Sequence, residues 1–134
     1  MTQTSTQVAS ALFEAIESAD LAAVDALYAD DIGVWHNFSN AVQSKIENLK
    51  TLTGLTASVD TIHYDVQERL ELDAERVLQR HDLHCTTRSG ERITIPACMF
   101  ITVRGGKITR IEEYLDSAQA NALRAASGRE PVGS

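Results

Sequence analysis

A chain of 134 residues, 43% hydrophobic and 23% charged, has the length and composition of a globular protein with one sizeable core. Its formal net charge of −7, with 19 acidic residues against 12 basic ones, argues against a nucleic-acid partner. The basic residues are scattered, no apolar run approaches the roughly 18 residues that span a bilayer, and the polar opening MTQTSTQVAS lacks the pattern of a secretory leader.

Residues from about Ser5 to Ser18 place Val8, Leu12, Phe13 and Ile16 on one helical face, with Ser5 or Thr6 as the predicted cap. Asp20 then caps a second predicted helix, DLAAVDALYADD, which ends at Asp30 and Asp31 because acidic side chains oppose the dipole there. The run IGVWHNFS reads as a short strand with Val34, His36 and Phe38 on one face and Trp35 and Asn37 on the other. In SKIENLKTLTGL, Ser44 and Glu47 form a capping box, and Ile46, Leu49, Leu52 and Leu55 form an apolar stripe. Thr61 to Leu72 alternates as a strand exposed on one side.

Ala74 to Asp116 follows as three long strands turned at Ser89-Gly90 and Gly105-Gly106, a pair of hairpins sharing a middle strand. Cys85 and Cys98 lie in these strands without a C-x-x-C pairing, which predicts buried thiols in a reducing cytoplasm. A last helix, DSAQANALRAAS, is capped by Asp116 and precedes a tail expected to fray. Helices first and then a curved antiparallel sheet make an α+β arrangement in one domain, 1–134, ordered over about 5–125.

Arg80 and Asp82 stand two apart on one strand, so their side chains share a face, and an Arg fork can hold the carboxylate ionised. Glu113 shares its face with Ile111 and Leu115, an apolar setting that demands a partner or a proton. Two acidic groups in such different surroundings can divide the roles of base and acid. His84 is in phase with Arg80 and Asp82, whereas His81 points the other way. The histidines show no repeating ligand spacing, so no metal and no cofactor is expected.

The order helix, helix, DDIGVWHN, helix, strand, followed by RHDL and by GERITIPACMFITVRGGKITRIEEYLD, resembles the SnoaL-like and limonene-epoxide-hydrolase-like branches of the nuclear-transport-factor-2-like superfamily, from Val8 to Leu123. Its most specific stretch is Pro96 to Asp116. The resemblance implies a conical α+β barrel with a deep interior pocket, assembled as a homodimer. It places Arg80 and Asp82 on the Arg-x-Asp pair of the epoxide-hydrolase branch, Asn37 on the Asn of the first strand, and Glu113 where that branch has a second Asp. Trp35 replaces a water-holding Tyr.

The resulting expectation is a cofactor-independent acid–base enzyme acting on a small, largely apolar molecule. Asp82 and Asn37, steered by Arg80, would activate water while Glu113 protonates an epoxide oxygen. Isomerase, cyclase or dehydratase chemistry with the same groups is the alternative, and a non-catalytic binder of hydrophobic ligands is another. Trp35, His36, His84, Tyr28, Phe38, Leu49, Met99 and Leu115 are the predicted substrate contacts.

Overall fold

The computed structural model describes residues 3–126, so the tail expected to fray lies outside the described residues. The chain runs α1 (Ser5–Glu17), α2 (Leu21–Leu27), β1 (Tyr28–His36), β2 (Val42–Gln43), α3 (Lys45–Ser58), β3 (Val59–Glu71), β4 (Arg76–Thr87), β5 (Arg92–Arg104), β6 (Lys107–Leu115) and α4 (Ser117–Ala126). Each helix begins where a short polar side chain can satisfy the orphan amides of its first turn. Thr4 does this for α1, one position before the predicted cap, in a capping box with Gln7. Asp20 accepts from the Ala23 amide at 3.1 Å, and Asp116 from Ala118 at 3.0 Å. Ser44 and Glu47 close the predicted capping box of α3.

The second helix stops at Leu27, four residues short of its predicted end. Tyr28 is already extended, is 3% exposed, and pairs with Ile108 of β6. Burying its ring outweighs the weak helical preference of the Asp-rich residues behind it. The glycine turns hold, since Gly90, Gly105 and Gly106 have φ of 89°, 58° and 78°, a region costly for residues with a Cβ.

The strands form one sheet in the order β2-β1-β6-β5-β4-β3, antiparallel except that β1 runs parallel to β6. Helix α1 lays Val8, Leu12, Phe13 and Ile16 against Val77, Met99, Ile101 and Ile111 of the inner face. A second cluster joins Val59, Cys85, Ile93 and Ile95 to Ala120 and Leu123 of α4. Neither cysteine forms a disulfide; Cys85 is buried as expected, whereas Cys98 is only half-buried.

The apolar stripe of α3 is a partial correction. Leu49, Leu52 and Leu55 are half-buried, but Ile46 is 78% exposed. A spacing of three drifts about 60° around the helix per step, so Ile46 ends on the side opposite Leu55. The buried residue of that first turn is Asn48, because α3 roofs a hollow instead of packing flat on the core.

Candidate active site

Between the two clusters lies a cavity of about 380 Å³, within the range of small-molecule sites. Its walls are apolar for the most part: Leu12, Phe13 and Ile16 from α1, Leu52 and Leu55 from α3, Ile95, Ala97 and Met99 from β5, and Leu123 from α4. Gln43, Glu47 and Thr51 add polar groups on the side of β2 and α3.

One ionisable pair faces this space from the sheet. His36 Nε2 lies 2.9 Å from Glu113 Oε1, with the side chains 14% and 16% exposed. The pair follows from topology. In the parallel β1–β6 ladder, His36 stands directly opposite Glu113, so both side chains leave the same face. Past that point Asn37 continues the ladder. Its backbone amide donates to the Glu113 carbonyl at 3.0 Å, and its side chain accepts from Leu115 N at 3.1 Å and donates to Leu115 O at 3.3 Å. Phe38 stacks on the imidazole with ring centroids 5.1 Å apart. An anion in apolar surroundings needs such a partner. At 2.9 Å the imidazole and the carboxylate are within hydrogen-bonding distance of each other.

A chain of hydrogen bonds joins cavity residues of β1, β2 and α3. The Tyr28 hydroxyl donates to Asn48 Oδ1 at 2.7 Å, Asn48 Nδ2 to Gln43 Oε1 at 2.9 Å, and Gln43 Nε2 to Thr51 Oγ1 at 3.0 Å. Burial pushes the Tyr28 phenol far above its ordinary value, and the charge of Glu113 adds to this. Tyr64 is raised in the same way, by burial first and Glu113 second. Both phenols therefore stay protonated at any working pH. Tyr64 is held edge-on by Phe13 at 4.7 Å and by His81 at 5.1 Å, and it also lines the cavity.

Of the predicted site residues, the cavity gathers Glu113, His36, Tyr28, Phe38, Met99 and Leu115. It does not gather Arg80, Asp82 or His84. The inward residues of β4 are Val77, Gln79, His81, Leu83 and Cys85, so those three project from the outer face. Alternation in a strand has a period of two, so with Gln79 and His81 inside, Arg80 and Asp82 face out. Arg80 instead meets Glu68 at 3.1 Å, and Asp82 meets Gln67 at 3.4 Å. The expected convergence of Arg80 and Asp82 with Glu113 is absent from this geometry.

Trp35 also faces outward, donating to Asn40 Oδ1 and packing edge-on against Tyr114 at 5.1 Å. Asn37 clamps backbone instead of meeting the cavity, and Leu49 packs into the core beside it. Sequence reading missed Asn48, Gln43 and Tyr64. Only Tyr64 left a signal, since it alternates in phase with Ile62 and Val66. Among the described residues, no third His, Cys, Asp or Glu joins His36 and Glu113 closely enough to complete a metal-ligand set.

No helix among the described residues is long and apolar enough to cross a membrane. None of the curated proteins compared with this chain matches it. Among solved structures, IdmH of Streptomyces antibioticus, a proposed polyketide cyclase, superposes with a TM-score of 0.79 at 16% identity, covering 92% of this chain and 99% of that one. An epoxide hydrolase of M. tuberculosis, described as LEH-like, gives 0.74 at 18%, covering 87% and 86%. A ketosteroid-isomerase-like protein of Catenulispora acidiphila, crystallised with trimethylamine, gives 0.74 at 15%, covering 96% and 97%. At such identities these likenesses establish the fold, that of helices on a six-stranded, mostly antiparallel sheet shared by nuclear-transport-factor-2-like proteins. The model of the SnoaL-like domain matches residues 9–111, and the chain belongs to that family.

Proposed function

We propose that the protein is an enzyme of carbon-acid chemistry, an isomerase or cyclase of small apolar carbonyl compounds, with the His36–Glu113 pair as its base. The observation that carries this reading is the 2.9 Å contact between the two on the sheet wall of an apolar cavity. The pair takes a proton from the carbon beside a carbonyl, and the C–H electrons move into the carbonyl as an enolate. Tyr64, protonated and on the same cavity wall, donates a hydrogen bond to the enolate oxygen. The enolate carbon is then reprotonated elsewhere, or it attacks a second carbonyl of the same molecule. The stored proton quenches the resulting alkoxide. Base and hydrogen-bond donor need no second carboxylate.

Epoxide opening is less well supported. It asks for a carboxylate steered by a guanidinium opposite an acid, and Arg80 and Asp82 point away from the cavity. The apolar lining favours a substrate that is mostly hydrocarbon, with its carbonyl toward β1 and β6.

The test is deuterium wash-in. A panel of unsaturated ketones and 1,5-diketones is incubated with the protein in D2O and followed by NMR, beside a matched panel of epoxides. Enzyme-dependent deuterium at the α carbon, or ring closure, supports the proposal. Diol formation from the epoxides, or tight binding of ketones with exchange only at the buffer rate, overturns it in favour of a hydrolase or a ligand carrier.

A further inference from the structure

The outer face of β3 and β4 carries charges that the catalytic reading leaves unused. Asp65 stands directly opposite Asp82, and His63 directly opposite His84. Like charges facing each other across a ladder are destabilising, and the nearby basic side chains are engaged elsewhere. Arg80 is held by Glu68 at 3.1 Å, and His63 by Glu17 at 3.2 Å. What Asp82 has is a neutral donor, Gln67 Nε2, at 3.4 Å.

His84 is oriented toward this pair. Its Nδ1 lies 2.9 Å from Thr94 Oγ1 on β5, and its Nε2 lies 3.9 Å from Asp65 Oδ2. With Nδ1–H donating to Thr94, the lone pair of Nε2 is left facing the carboxylates, the arrangement in which an imidazole ligates a metal. One ligand atom from each of Asp65, Asp82 and His84 falls within 4.8 Å of the other two. All three side chains are partly exposed, so small rotations can close that triangle and water can fill the remaining positions.

We propose that Asp65, Asp82 and His84 form a binding site for a divalent transition ion such as zinc, with Thr94 orienting the imidazole. A mixed nitrogen and oxygen donor set favours such ions over magnesium or calcium. The ion neutralises the opposed carboxylates and ties β3 to β4 on the face of the sheet away from the cavity. It therefore acts on stability and not on the reaction, and the expectation of no metal from the histidine spacing is set aside at this position.

Isothermal titration of chelator-treated protein with zinc chloride tests this, with magnesium chloride as the comparison arm. One zinc per chain is expected, with a raised melting temperature and magnesium at least about tenfold weaker. Asp82→Asn and His84→Gln should each remove the binding, and Thr94→Val should weaken it by about 10- to 100-fold. All three positions are solvent-accessible, and circular dichroism of each variant checks its fold. Absence of zinc uptake by folded protein overturns the proposal, leaving His84 as a neighbour of the two acids. Uptake unchanged in both Asp82→Asn and His84→Gln also overturns it.

Discussion

Replacing Glu113 by Gln removes the charge and keeps the shape, which isolates the base. The amide oxygen can still accept from His36 Nε2, now 2.9 Å from Oε1, so the fold keeps its contact and loses only the extra strength of an ionic acceptor. That difference is about 1 kcal/mol, or roughly 4 °C in melting temperature for a chain of this size. Catalysis should suffer far more. Loss of a positioned general base costs about 10²- to 10⁴-fold, equivalent to ~3–5 kcal/mol in the barrier. His36→Gln should cost a similar factor. The decisive comparison is the double variant. If the two side chains work as one unit, the double variant is no slower than either single one; independent contributions would multiply. The assay is the initial rate of deuterium entry at the α carbon of the best ketone, with melting curves for each variant. Exchange by Glu113→Gln at the wild-type rate, or losses that multiply in the double variant, would refute the paired base.

Arg80→Ala should leave the exchange rate unchanged and shift stability by less than about 1 kcal/mol, because its bridge to Glu68 is half-exposed on both sides; kinetics and a thermal melt check both halves. Asn48→Ala strands the Tyr28 hydroxyl and the Gln43 carbonyl in a wall where Tyr28 is 3% and Asn48 4% exposed. It should cost about 2–3 kcal/mol in urea titration, with reduced affinity for any ligand touching that wall. Burial pushes the His81 imidazole below its ordinary 6.5, so the unfolded chain takes up a proton that the folded one resists. The stability His81 contributes is complete above that pH and is lost as pH falls below it. Denaturation at pH 7.5 and 5.5 should therefore show a smaller acid loss in His81→Gln than in the wild type, and equal losses would contradict the assignment.

Period-two alternation made half of the site readable. Val34, His36 and Phe38 on one strand, and Ile111, Glu113 and Leu115 on another, each carry apolar neighbours that declare the inner face, and all six line the cavity. The strand between Arg76 and Thr87 was harder. Its inner set includes Gln79 and His81 and its outer set includes Leu78, so apolar content does not declare the phase. Gln79 is tolerable inside because its amide meets His81 Nδ1 at 2.9 Å and receives Arg69 at 2.7 Å, while the buried His81 Nε2 has no hydrogen-bond partner. No local pattern announces that. The Tyr28–Asn48 contact was invisible for a related reason: it joins a strand to a helix 20 residues later, and neither residue looks unusual in its own segment.

The parallel seam between β1 and β6 also sets when the protein becomes competent. Its two edges come from opposite ends of the chain, and the clamp from Asn37 to Leu115 bridges 78 positions. Contacts of such long range form late, after the hairpins of β3 to β6 have assembled locally. Until that seam closes, Glu113 stands on β6 without His36 opposite it, and the proposed base is incomplete. On the proposed function, a lesion that frays that seam should silence the chemistry before it unfolds the sheet.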